Sequence, residues 1–260
     1  MTHPLDAPEI VHGLFYPRKA AMGGSSIAQA QDGTIPVTDD IVLGYRLFTP
    51  PQAAEAVIVY FHGNGEVASD YDYVAPLFFQ VSAALLVVDY RGYGWSSGQP
   101  LTSTLLSDAD AVPPALPDIL SADLRQKPLI IMGRSLGSAP AIHLAYHHAA
   151  QFKGLIVDSG FADMPSVFRR LGIPVNLDAV TDVPVGNVAR MKAITMPLLV
   201  IHGENDQLLP VENGQLLFDA SPSTQKTLLR IPGAGHNNIM AIGAAQYVAA
   251  MSAFIRLLGA

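Results

Sequence analysis

The chain has 260 residues, half of them hydrophobic and only 14% charged, which supplies a core for one large α/β domain and excludes a disordered chain. A net charge of −7 without a basic block argues against nucleic acid as the main partner, and the absence of cysteine excludes disulfides, a thiolate nucleophile and thiolate metal sites. The opening "MTHPLDAPEI" lacks a basic stretch leading into an apolar one, and the uncharged apolar runs are shorter than a membrane span, so no signal peptide, no integral membrane segment and a cytoplasmic location are expected.

The first element in the pattern is "TIPVTDDIVLGYRLFTP", an antiparallel hairpin turning at "TDD". "AVIVYF" (56–61) and "ALLVVD" (84–89) follow as buried strands, with a helix expected over 68–81 between them. A helix over 103–120 is expected to break near Val112, because Pro113, Pro114 and Pro117 interrupt it. Next come the strands "PLIIMG" (128–133) and "GLIVDS" (154–159), separated by a helix over 136–150. Residues 160–196 hold scattered prolines and no clear strand, and read as a small cap over one edge of the sheet. The strands "PLLVIHG" (197–203) and "KTLLRI" (226–231) and helices over 213–220 and 238–257 complete the chain. Continuous apolar runs alternating with helices describe a mostly parallel central sheet with helices on both faces, within a single domain over 1–260. The apolar last helix fits packing against the sheet and offers no basis for assigning an oligomeric state.

In open α/β sheets, ligands bind at the carboxyl ends of the strands. A serine, an acid and a histidine each follow a separate strand here, in that chain order. Gly133-Arg134-Ser135-Leu136-Gly137 is a G-x-S-x-G between an apolar strand and an alanine-rich helix, the setting of a strained nucleophile elbow. Alone it is a weak signal, and a strand-to-helix turn with a capping serine is the plainer reading. His236, in "GAGHNN", follows the last strand and can take the Ser135 proton as general base. Asp206, in "HGENDQLLP", is the candidate to orient that imidazole, with Asp158 as the main rival and Glu204 as a second. "HGNG" after the 56–61 strand offers the backbone N–H of Asn64, beside that of Leu136, for an oxyanion. His62 and His202 are expected to orient loops, His147 and His148 to lie exposed on a helix, and Arg134 to hydrogen-bond locally. "RGYGWSSG" has Ser97 where a dinucleotide fingerprint needs glycine, "GRSLGS" has no P-loop lysine, and no H-E-x-x-H occurs; neither a cofactor nor a metal is expected.

Taken together, "FHGNGE", "DYRGYGWSSG", "GRSLGS", "HGENDQLLP" and "GAGHNN" make the chain resemble the α/β-hydrolase superfamily from about residue 35 onward. Within it the chain is similar to the alpha/beta-hydrolase domain-containing serine hydrolases, a subgroup that includes depalmitoylase-like proteins. The resemblance implies the α/β-hydrolase fold, a Ser135–His236–Asp206 triad, an oxyanion hole from Leu136 and Asn64, and hydrolysis of esters or thioesters through an acyl-enzyme. The chain departs from the depalmitoylases in lacking their cysteine-rich N-terminus. The elbow carries serine rather than aspartate, against dehalogenase or epoxide hydrolase chemistry. A small, apolar cap points to short- to medium-chain acyl esters as the small-molecule substrate, with Trp95, Phe161, Met164, Phe168, Leu171, Met191 and Ile239 as candidate pocket residues. Thioesterase, acyltransferase or peptidase activity by the same triad, or a non-catalytic binding protein of this fold, are the alternatives.

Overall fold

The structure, a computed structural model, describes residues 3–175 and 186–259. Its eight strands are β1 (Ala30–Pro36), β2 (Val42–Phe48), β3 (Ala56–Phe61), β4 (Ala83–Val88), β5 (Leu129–Arg134), β6 (Gly154–Asp158), β7 (Leu198–Gly203) and β8 (Lys226–Ile231). They form one sheet in the order β1-β2-β4-β3-β5-β6-β7-β8. β1 and β2 pair antiparallel, as do β2 and β4, and every pairing from β4 to β8 is parallel. The expected hairpin is present, although β1 begins at Ala30, earlier than the pattern suggested.

The central strands are continuously apolar because helices cover both faces. Val57, Val59 and Phe61 of β3 point into one core, whereas Ala56, Ile58 and Tyr60 point into the other. Each fully buried valine, isoleucine or phenylalanine side chain among them contributes about 1.5–3 kcal/mol. The first core is closed by α1 (Pro8–Leu14), α3 (Leu105–Ala109), α4 (Val112–Ile119), α5 (Ser138–His147), α6 (Met164–Leu171), α7 (Asn187–Met191) and α8 (Glu212–Ala220). The second is closed by α2 (Ala75–Phe79) and α9 (Ile239–Gly259). By length and composition α9 would suffice to cross a membrane; here it packs on β7 and β8 and places Tyr247, Met251 and Phe254 in the second core. It bends at Gly243, where a Cβ would overlap Ile231.

Proline sets the helix boundaries. The expected helix over 68–81 is a 3-10 turn, Ala68–Tyr73, followed by the short α2, because Pro76 cannot donate to the preceding turn. The 103–120 region is broken before Val112 as expected, and Pro113 and Pro114 sit in the first turn of α4, where an N–H has no partner to lose; Pro117, expected to interrupt the helix as well, lies inside α4. Within the expected cap, residues 176–185 lie outside the described residues. α6 opens on Asp163, whose carboxylate caps the Ser166 N–H at 2.8 Å, and ends at Gly172 in the left-handed region. α7 packs against α5 and α8, and so belongs to the helical layer rather than to a lid.

Candidate active site

β5 runs directly into the elbow. Ser135 has φ of 52°, a conformation costing a non-glycine residue about 1–3 kcal/mol, and it is held there by the packing of its neighbours. A Cβ on Gly133 would overlap the Gly137 carbonyl, and one on Gly137 would overlap the Phe61 carbonyl at the end of β3. The two glycines thus allow α5 to start against β3, bringing the elbow beside the 62–65 loop. The N–H groups of Leu136 and Asn64 make no hydrogen bond to another described residue. Both residues line the same cleft as Ser135 and His236.

Asp206, His236 and Ser135 form one hydrogen-bonded line. His236 Nε2 lies 2.8 Å from Ser135 Oγ, and its Nδ1 lies 2.7 Å from Asp206 Oδ2. Asp206 Oδ1 accepts the N–H groups of Leu208 and Leu209 at 2.9 and 2.7 Å. Burial works to raise the Asp206 pKa, but the His202 imidazole, whose Nε2 lies 3.4 Å from Oδ2, the hydrogen bond and charge of His236 and the Leu209 N–H outweigh it and hold the carboxyl well below its usual range. An ionised Asp206 only accepts, so Nδ1 carries the imidazole proton and Nε2 is left to accept from Ser135. Ser135 and His236 are each 8% exposed and Asp206 5%, so the line is desolvated yet reachable from the cleft.

The rival acids are placed elsewhere. Asp158 is fully buried and accepts the Tyr247 and Ser159 hydroxyls, both at 2.9 Å. Glu204 faces Arg230 on the surface. His202 donates from Nε2 to the Leu209 carbonyl at 2.7 Å, and His62 lies 3.1 Å from buried Asp89, so both brace loops. His147 is exposed at the end of α5, whereas half-buried His148 contacts Asp110.

A cleft of about 290 Å³ opens over Ser135. Of the residues proposed for it from sequence, Phe161 and Leu171 line it. Met164, Phe168 and Met191 do not; they belong to the core between the sheet and its helices. α6 turns Met164 and Phe168, four residues apart, inward and presents Val167, Arg170 and Leu171 to the cleft. Ile239 opens α9 and packs in the opposite core, and Trp95 lies by the hairpin, its Nε1 donating to the Gly33 carbonyl at 2.9 Å. Leu14, Tyr16, Leu208, Leu209 and Asn237 complete the lining without having been foreseen. The first two come from α1 and the chain after it. Pro8 followed by Ile10 and Leu14 was the available signal for that helix. Asn64 fastens this segment: its side-chain oxygen accepts the Tyr16 N–H at 3.0 Å, and its amide donates to the Leu14 carbonyl at 2.6 Å.

The Hydrolase_4 family, described as serine aminopeptidase, S33, matches residues 52–176 and 178–240. Alpha/beta hydrolase domain-containing protein 17B of Homo sapiens is 29% identical over 208 residues, covering 78% of this chain and 67% of its own length. Its Xenopus laevis counterpart is 29% identical over 209 residues, with the same coverage. An esterase structure from Pyrococcus furiosus superposes with a TM-score of 0.76 at 16% identity, covering 95% of this chain and 99% of that one. Est1E from Butyrivibrio proteoclasticus, bound to ferulic acid, superposes with a TM-score of 0.72 at 20% identity, covering 87% and 98%. At these identities the structural likeness bears on the fold: it is the α/β-hydrolase fold.

Proposed function

The chain belongs to the Hydrolase_4 family of serine hydrolases, and from that premise we propose that it cleaves carboxylic esters of short- to medium-chain acids at Ser135. The observation that carries this reading is the 2.8 Å contact between Ser135 Oγ and His236 Nε2 at the floor of a cleft walled by Leu136, Phe161, Val167, Leu171 and Leu209.

In this mechanism Ser135 Oγ bonds to the ester carbonyl carbon while its proton passes to His236 Nε2. Asp206 stabilises the imidazolium through Nδ1. The carbonyl π electrons collect on oxygen, which accepts the N–H groups of Leu136 and Asn64. Collapse breaks the carbon–alkoxide bond, the leaving oxygen takes the proton from Nε2, and the acyl group stays on Ser135. Water then repeats the sequence and releases the acid.

The family's description names an aminopeptidase, which must hold a free ammonium group. The cleft lining carries Arg134 and Arg170 and no carboxylate among its described residues, which favours a neutral ester over a peptide N-terminus. A fluorophosphonate probe is expected to label the protein and not its Ser135→Ala variant; absence of Ser135-dependent labelling on folded protein overturns the hydrolase reading. Across p-nitrophenyl esters from acetate to palmitate, kcat/KM is expected to peak among the shorter acyl groups. A maximum at palmitate contradicts the chain-length assignment.

A further inference from the structure

One side chain in the elbow holds three loops at once. Arg134 immediately precedes Ser135, and its side chain is only 10% exposed. Its Nη1 donates to Glu66 Oε1, while its Nη2 donates to the His236 carbonyl at 2.8 Å and to Asn237 Oδ1 at 3.1 Å. Glu66 in turn accepts the Gly63 N–H at 2.8 Å and the Tyr71 hydroxyl at 2.7 Å on its other oxygen. The nucleophile turn, the loop bearing Asn64 and the loop bearing His236 therefore meet at a single ion pair.

We propose that Arg134, through its pair with Glu66, is a positioning residue that sets His236 and the Asn64 N–H relative to Ser135. The inference rests on the serine hydrolase reading of that site. Arg134 touches no reacting atom in the mechanism; it acts through the backbone of His236 and, by way of Glu66, of Gly63. Its planar fork suits this task, since parallel donors reach a carboxylate on one side and a carbonyl with an amide oxygen on the other. A lysine ammonium cannot span both. Although Arg134 faces the cleft, both terminal nitrogens are engaged by protein acceptors, which leaves it poorly placed to recognise substrate. Burial works to discharge the guanidinium, but the carboxylates of Glu66 and Asp158 more than offset it and keep it charged.

The experiment compares wild type with Arg134→Lys in thermal melts, fluorophosphonate labelling and ester kinetics. Arg134→Lys is expected to fold and to lose roughly 10–100-fold in kcat and in labelling rate, with KM changed less than about threefold, as displacement of a catalytic group by about 1 Å implies. A folded Arg134→Lys with wild-type kcat and labelling overturns the proposal. A defect confined to KM also overturns it, since that is the mark of a substrate contact. If Arg134→Lys does not fold, Arg134→Met/Glu66→Gln removes both charges of the pair together, so that neither is left unpaired, and replaces it. The double variant, when folded, is expected to show the same loss in kcat, and full activity in it counts against the proposal. The labelling rate needs no ester substrate. Wild type that labels but hydrolyses no ester therefore sinks the ester reading while the role of Arg134 is still measured.

Discussion

Asp158 ends β6 and Asp206 follows the neighbouring β7, and their hydrogen bonds separate them. Asp206 is turned to His236, while Asp158 faces away from it, toward Tyr247 and Ser159. Asp206→Asn is expected to lower kcat by roughly 10⁴-fold, because an amide cannot hold the same imidazole tautomer. Asp158→Asn is expected to keep its activity within a few fold, and a reversal of the two results in ester kinetics would exchange their assignments. Ser135, His236 and Asp206 stood out in the sequence because each closely follows its own apolar strand, which is where the fold gathers chemistry. The Arg134–Glu66 pair did not, although both residues lie inside quoted motifs. It joins positions 68 apart, and one partner of Arg134 is a backbone carbonyl that leaves no trace in residue type.

Among the elements, the elbow has the least room for change. Gly137→Ala would drive a methyl group into the Phe61 carbonyl, an obstacle that cannot rotate away. The expected cost is about 1–3 kcal/mol of stability, read as a lower Tm, together with slower labelling of Ser135. A Tm and labelling rate equal to wild type would show that α5 is free to shift off β3. The strands were legible because helices on both faces demand unbroken apolar runs. Helix ends were legible where proline marked them, as at Val112. The division of α6 was harder to foresee: periodicity identifies an apolar side, but which of its residues turn to the core and which to the cleft depends on what lies across from them. Met164 and Phe168 met the sheet layer, and Leu171 met the opening.

At the scale of the whole molecule, several carboxylates make the fold sensitive to acid. Burial alone would raise Asp206, Glu66 and Asp32. His202 and His236 for the first, Arg134 and Tyr71 for the second, and Arg46 and the Gly23 backbone for the third hold them below their usual values instead. A carboxyl depressed in the folded state contributes stability that is present above its unfolded pKa of about 4 and is lost as pH falls below it. Asp158, raised by burial, works in the opposite direction with one group against three. Denaturant melts are expected to show unfolding free energy falling below about pH 4, and a flat profile down to pH 3 would contradict these assignments. The strand order has a further consequence in time. Ser135, Asp206 and His236 follow β5, β7 and β8, and among the described residues β8 is the outermost strand on its side of the sheet. During synthesis Ser135 therefore leaves the ribosome about a hundred residues ahead of His236, and on the proposed mechanism it has no base to take its proton until β8 has docked.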